Sequence, residues 1–259
     1  MNYSSDEMMT IAAARALSND DVCFVGIGLP SAACNLARLT HAPRINLIYE
    51  SGTLETRPDV LPLSIGDGEL CATALTTVSV PEIFRYWLQG GRITVGFLGG
   101  AQVDRFANLN STVIGSYAHP KVRLPGAGGA AEIATGSRQV FIVMKQTRRS
   151  FVKAVDFVTS LGHGRTGRER RQHGIATMGP TLLVTDLCVM RPEPDTNEMI
   201  VTSMHPGAMR AQVIENTGWD VRFANQVEET SPPTADELEV LRELQARTAR
   251  AHGVAAGKL

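Results

Sequence analysis

Short apolar runs that end in glycine, separated by stretches carrying helix signals, constrain this chain more than any other feature. Residues 22–25 open into Gly26-Ile27-Gly28-Leu29-Pro30, residues 45–49 into Glu50-Ser51-Gly52, and residues 93–98 into Gly99-Gly100. Residues 140–144 and 181–184 repeat the apolar pattern. Each run is apolar on both faces, which suits strands covered on both sides. Between them, Ser4 or Ser5 can cap a helix reaching Leu17, a helix is expected over 31–39, and Pro81-Glu82 with Gly90-Gly91 brackets another. Thr234 with Glu237 three residues on is a capping box, and Leu238, Leu241 and Leu244 form the apolar stripe of a last helix. Strands alternating with helices predict an α/β fold.

The chain has 259 residues, 43% of them hydrophobic, enough to bury a substantial core. The simplest division is a single domain over 1–259 with a C-terminal helix, 234–252, as an appendage. Basic and acidic side chains number 25 and 26, so no electrostatic footing exists for nucleic acid. Asp6 and Glu7 stand where a signal peptide needs positive charge, and no apolar run approaches the roughly 20 residues that span a bilayer. A cytoplasmic protein with no membrane partner is therefore expected. Cys23, Cys34, Cys71 and Cys188 show no C-x-x-C pairing, which predicts buried, inert thiols and no metal site.

Two chemistries compete for the first glycine turn. Gly26 and Gly28 follow a strand and precede a helix, and Glu50 ends the next strand, a spacing that approximates a dinucleotide-binding fingerprint and an NAD-dependent oxidoreductase. Pro30 removes a backbone donor from the turn, Ser31 replaces the third glycine, and Glu50 runs directly into Ser51-Gly52. Read differently, Glu50 is a carboxylate at the carboxyl end of a strand, where α/β sheets bind ligands, and Gly52 lets the chain turn away behind it.

Four motifs in order, Gly26-Ile27-Gly28-Leu29-Pro30, Tyr49-Glu50-Ser51-Gly52, Gly100-Ala101-Gln102-Val103-Asp104 and Pro125-Gly126-Ala127-Gly128-Gly129-Ala130, resemble the B subunit of a family I CoA-transferase. The resemblance runs over nearly the whole chain. The stretches 61–70, 82–92 and 213–219 are most similar to the B subunits acting on 3-oxoadipate, with those acting on glutaconate next. The resemblance implies a three-layer, open, mainly parallel sheet flanked by helices. It implies a separate A subunit, without which the chain is inactive, and a CoA thioester as cosubstrate with no permanently bound cofactor. It implies Glu50 as the catalytic nucleophile, and a dicarboxylic acid of a catabolic pathway as acceptor of CoA from a donor such as succinyl-CoA.

The same resemblance sets the glycine loop against the glutamate, so Gly128 and Gly129 become candidate oxyanion donors, with Ser51 and Gly52 beside the substrate. Gly26, Gly28 and Gln102 are candidates for the CoA channel. Arg57 and Arg123 are candidates for reading a distal carboxylate. The run 165–171, with His163 and His173, reads first as a solvated basic loop. The sequence departs from the family pattern at Thr53-Leu54-Glu55-Thr56-Arg57, where a glycine-containing stretch is expected, and at Ala107, where glycine is usual. A related clade hydrolyses CoA thioesters with this fold, and Glu50 argues for transfer.

Overall fold

In the computed structural model, which describes residues 2–253, the alternation becomes parallel pairing. Strand β1 (Val22–Val25) runs parallel to β2 (Asn46–Tyr49), with Val22 opposite Asn46 and Val25 opposite Tyr49. Strands β3 (Thr53–Leu54) and β4 (Thr76–Thr77) form a small antiparallel pair, and β5 (Val95–Leu98) returns parallel to β1 on its other side. The strand interiors, Cys23, Leu47, Ile48 and Val95 among them, are fully buried.

The chain divides into two compact units, one formed by residues up to Phe97 together with the chain from Pro232 onward, the other by Leu98–Ser231. In the first unit, helix Ser5–Arg15 starts at the capping box of Ser4 and Glu7 and stops short of Leu17. Helix Leu29–Leu39 starts two residues earlier than expected, because Gly28 at φ 84° supplies the turn and Pro30 sits in the first helical turn, where its missing N–H costs nothing. The helix Ala235–His252 carries the expected capping box, buries Leu238, Leu241 and Leu244, and closes at Gly253 with φ 62°. It packs inside the first unit, held by Arg15 to Glu237 and Arg242 to Glu7, each at 2.6 Å, and by the Leu61 N–H donating to the Thr248 hydroxyl.

The segment after Pro81 corrects the sequence reading. A single α-turn, Val80–Glu82, runs into a π-helix, Ile83–Leu88, in which the Gln89 and Arg92 N–H groups donate to carbonyls five residues back. Ile83 and Leu88 are both fully buried, and the wider turn brings residues five apart onto one face. The expectation of buried thiols also fails once: Cys23, Cys34 and Cys188 are buried, but Cys71 is exposed on a short helix that buries only Leu70.

In the second unit, β6 (Gln102–Val103) pairs with β7 (Leu109–Asn110), and β8 (Val113–Gly115) with β9 (Pro120–Arg123). Strand β10 (Gln139–Val143) lies parallel to β11 (Gly179–Val184); β12 (Cys188–Pro192) and β13 (Met199–Met204) continue antiparallel, and β14 (Phe223–Glu229) closes parallel to β13. The fold is α/β, as the alternation predicts, and outside the three short two-stranded pairs the strand pairing is mainly parallel and flanked by helices, as the resemblance implies. Among the described residues no helix is long and apolar enough to cross a membrane, and no group of three or more His, Cys, Asp or Glu is placed to hold a metal.

Candidate active site

The register of β1 against β2 fixes the centre of the site. Val25 and Tyr49 are partners, so the residues that follow them, Gly26 and Glu50, leave the sheet side by side at its carboxyl edge. Neighbouring strands lie about 4.8 Å apart, which places the two turns within reach of one ligand. The first unit thus brings together Glu50, Ser51, Gly52, Gly26 and Gly28.

Tyr49 anchors this edge. Its ring is fully buried and its hydroxyl meets the Ser31 hydroxyl at 2.8 Å, tying β2 to the helix that follows Gly28. Burial pushes the Tyr49 phenol well above its ordinary value, so it stays neutral. Ser31 therefore has a packing role, and a glycine at its position would lose that tie. Behind the glutamate, the Gly52 N–H donates to the Tyr49 carbonyl at 3.0 Å and its own carbonyl accepts from the Val78 N–H at 2.9 Å. Gly52 adopts φ 104°, and a Cβ there would run into the Val78 carbonyl oxygen. Only glycine closes this turn.

Glu50 itself is half-buried, and among the described residues its carboxylate takes part in no hydrogen bond or ion pair. Next to it, the Ser51 hydroxyl and the Thr53 hydroxyl are buried without a protein partner. Buried polar atoms left open in this way are uncommon. Gly28 is equally open: nothing lies within 4 Å of where a Cβ would stand. Beside it, Ile27, Gly28, Leu29, Ala32, Leu61 and Leu63 line a largely apolar pocket of about 230 Å³.

The second unit holds Gln102, Gly128 and Gly129. The Gln102 carbonyl oxygen accepts from Asn110 Nδ2 at 2.7 Å and from the Asp156 N–H at 3.0 Å, while its amide donates to Asp156 Oδ2 at 3.1 Å. Gln102 is 6% exposed and bridges loops, with a single amide proton left over. Asn110 leads into Ser111, whose hydroxyl donates to the Gly126 carbonyl at 2.8 Å and whose carbonyl accepts from the Gly126 N–H at the same distance. The glycine turn is thus held at its start. Gly126 at φ 105° and Gly128 at φ 49° turn it over, Gly128 is exposed, and neither the Gly128 nor the Gly129 N–H has a protein acceptor among the described residues. The helix Ala130–Gly136 follows directly.

Asp104, in the third motif, has a structural task. Burial pushes its carboxyl up, and it accepts from the Phe106 and Asn108 N–H groups and from the Asn108 side chain. The loop it organises puts Ala107 at φ 57°, a conformation that favours glycine. Glu55, within the stretch where glycine is expected after the glutamate motif, also stands in this region, at φ 50°. The basic run divides: Arg165, Arg168, Arg171 and His173 are exposed as a solvated loop predicts, whereas His163 and Arg170 are buried. No periodicity signal marked Arg170, because its partners are carbonyls distant in sequence.

Residues 6–216 match the family model for coenzyme A transferase. The chain is 64% identical, over 99% of its length and 98% of the relative's, to the B subunit of the 3-oxoadipate CoA-transferase of Pseudomonas knackmussii. It is 36% identical, over 93% of its length and 92% of the relative's, to the B subunit of the glutaconate CoA-transferase of Acidaminococcus fermentans. The crystal structure of glutaconate coenzyme A-transferase from Acidaminococcus fermentans superposes with a TM-score of 0.88 at 33% identity, covering 93% of this chain and 94% of that one. With the motif order and the glutamate at the sheet edge, these likenesses exclude the dinucleotide reading of the first glycine turn: the chain belongs to the coenzyme A transferase family.

Proposed function

We propose that this chain is the B subunit of a cytoplasmic CoA-transferase that moves CoA from an acyl-CoA such as succinyl-CoA to a dicarboxylic acid, 3-oxoadipate, and that it works with an A subunit. The 64% identity over nearly the full chain to a protein of that name supports the acceptor and the partner. The observation that carries the chemistry is Glu50: an unpaired carboxylate at the carboxyl edge of a parallel sheet, fixed from behind by Tyr49 and Gly52.

Glu50 attacks the thioester carbonyl, the C–S bond breaks, and CoA leaves as thiolate from an acyl-glutamyl anhydride. The thiolate then attacks the glutamyl carbonyl, releasing the first acid as a carboxylate and leaving glutamyl-CoA. The acceptor carboxylate attacks that thioester, and the thiolate returns to the new anhydride to give the second acyl-CoA and free Glu50. Dividing the exchange into covalent halves conserves one activated bond throughout, as thioester or anhydride, while the acids exchange. Water hydrolyses either intermediate, so the reacting centre must be closed to it.

Each attack passes through an oxyanion. The open N–H groups of Gly128 and Gly129 are the proposed donors, and a donor of this kind contributes about 2.7–4 kcal/mol. Ser51 lies next in chain to the nucleophile, and with Gly52 it is assigned to contact the substrate, a role that its unpartnered hydroxyl supports. Gly26, Gly28 and the remaining Gln102 proton are assigned to the CoA channel, where binding of the distant parts of CoA is spent on the barrier at the thioester. CoA is a cosubstrate in this scheme, and no permanently bound cofactor takes part. Arg57, paired weakly with Glu55 at 3.4 Å, and Arg123, lying 5.0 Å over the Tyr117 ring, remain available to read a distal carboxylate. Glutaconate is the second acceptor, supported by the 36% identity to a glutaconate enzyme.

The test is to incubate the complex of this chain and its A subunit with succinyl-CoA, reduce with borohydride, and follow the mass of the peptide containing Glu50. Inactivation with a mass change confined to Glu50 is expected. An active complex whose Glu50 stays unmodified would overturn the mechanism.

A further inference from the structure

Arg170 is the one arginine of the basic run that the fold buries, at 5% exposure. No carboxylate pairs with it among the described residues. Its guanidinium instead meets five neutral acceptors: Nη1 donates to the Leu161 and Gly162 carbonyls, both at 3.1 Å, Nη2 to the Ala134 carbonyl at 3.0 Å and the Thr177 hydroxyl at 2.6 Å, and Nε to the Thr177 carbonyl at 3.3 Å. A guanidinium has five N–H donors, so every one is used. Burial pushes it down to about 10, and it stays a cation at neutral pH. A buried charge without a counter-ion is costly, and an apolar side chain of similar volume would avoid that cost. The chain keeps the charge where it joins three separate segments.

One of those segments is the end of the helix Ala130–Gly136. Arg170 takes the Ala134 carbonyl, and the Thr177 hydroxyl, which accepts from Arg170, donates in turn to the Thr135 carbonyl at 2.8 Å. These are carbonyls that a helix leaves open at its C-terminus, where a cation is also electrostatically favoured. Gly179 makes room for the arrangement, since a Cβ there would lie 2.8 Å from Arg170 Nε. Ser111 already holds the glycine turn at Gly126. With the helix end fixed by Arg170, the turn 126–129 is clamped from both sides.

We propose that Arg170 is a positioning residue for the glycine turn: its guanidinium locks the far end of helix Ala130–Gly136, so that the Gly128 and Gly129 N–H groups hold the orientation that turnover requires. This rests on the oxyanion-donor reading of those two residues. The role is carried by the geometry of the guanidinium fork, not by charge alone, so lysine does not replace it.

The complex with the A subunit is prepared with Arg170→Met, Arg170→Lys and Arg170→Ala, with exposed Arg168→Met and Arg168→Ala as controls. Measured well below the melting temperature, kcat should fall on the order of 10²-fold in Arg170→Met, as expected for a misplacement of about 1 Å at the reacting centre, while KM for both substrates is little changed. Hydrogen exchange should rise selectively over 126–136. Free guanidinium should restore part of the activity of Arg170→Ala and leave Arg168→Ala unaffected. Arg170→Lys keeps the charge with three donors, and should stay folded if methionine does not, with kcat still reduced. A folded Arg170→Met or Arg170→Lys complex with wild-type kcat overturns the proposal, as does exchange that rises uniformly through residues 98–231, which marks a general stabiliser. The exchange pattern is read without turnover, and retention of activity by Glu50→Ala would instead sink the transferase mechanism, so the two failures are distinguishable.

Discussion

Replacing Gly52 by alanine tests whether the turn behind Glu50 holds the nucleophile. The substitution forces a residue with a Cβ to keep φ 104° and drives that Cβ against the Val78 carbonyl oxygen. Backbone strain of this kind costs about 1–3 kcal/mol, and displacing Val78 loses its 2.9 Å bond to the Gly52 carbonyl, worth about 1 kcal/mol. A total of about 2–4 kcal/mol lowers the melting temperature by about 4–16 °C in a chain of this size. Glu50 lies two residues before the strained position, on the same turn as the Tyr49 carbonyl that accepts from Gly52. A shift of about 1 Å there reduces kcat on the order of 10²-fold. Calorimetry and succinyl-CoA-dependent transfer by the reconstituted complex give the two readouts. Gly91→Ala is the control: φ is 72° but nothing lies within 4 Å, so only the conformational cost of about 1–2 kcal/mol applies and transfer is untouched. A Gly52→Ala protein that melts within about 1 °C of the parent and keeps its kcat would refute the reasoning.

Ala107→Gly should stabilise the protein by about 1 kcal/mol, because Ala107 is held at φ 57°, and equilibrium denaturation reads the gain. Thr234→Ala removes both the N-cap and the box with Glu237 and should cost about 1 kcal/mol by the same measurement. The docking of the C-terminal helix should weaken in acid. The Arg242 hydrogen bond holds the Glu7 carboxyl below its usual 4.5, and at Glu237 burial pushes up but the Arg15 and Thr234 bonds together outweigh it. A depressed carboxyl contributes stability that is present above its unfolded value and lost as pH falls through the folded one. Melting temperature should therefore drop below about pH 4.5, and the drop should flatten in Glu7→Gln/Glu237→Gln; an unchanged acid limb would remove these pairs from the account.

Much of this was legible in the sequence because it is local. The cap at Ser4, the capping box at Thr234, the leucine stripe of the last helix and the strand before Glu50 are all patterns within a few residues. The π-helix at Ile83–Leu88 was not, since a proline start and a glycine end bracket an α-helix equally well and the choice is made by which residues must face the core. The antiparallel strands β12 and β13 and the short pairs β6–β7 and β8–β9 lacked long apolar runs, and tertiary pairing creates them. At the site, Glu50 and the glycine turns were visible as motifs. Arg170 looked like its exposed neighbours, because only folding brings Leu161, Ala134 and Thr177 around it.

The distribution of charge is compatible with the proposed role of Glu50 as nucleophile. An arginine paired with Glu50 would occupy the lone pairs that must attack, and among the described residues none is paired with it. Arg38 donates to the Asn35 side chain and the Pro58 carbonyl, and Arg57 leans on Glu55. In the proposed scheme the oxyanion is stabilised by neutral backbone N–H groups, which do not compete for Glu50 in the ground state, so their benefit is confined to the transition state. Neutral donors work only if they are held still. That requirement is what a clamped glycine turn meets, with Ser111 at one end and a buried guanidinium at the other.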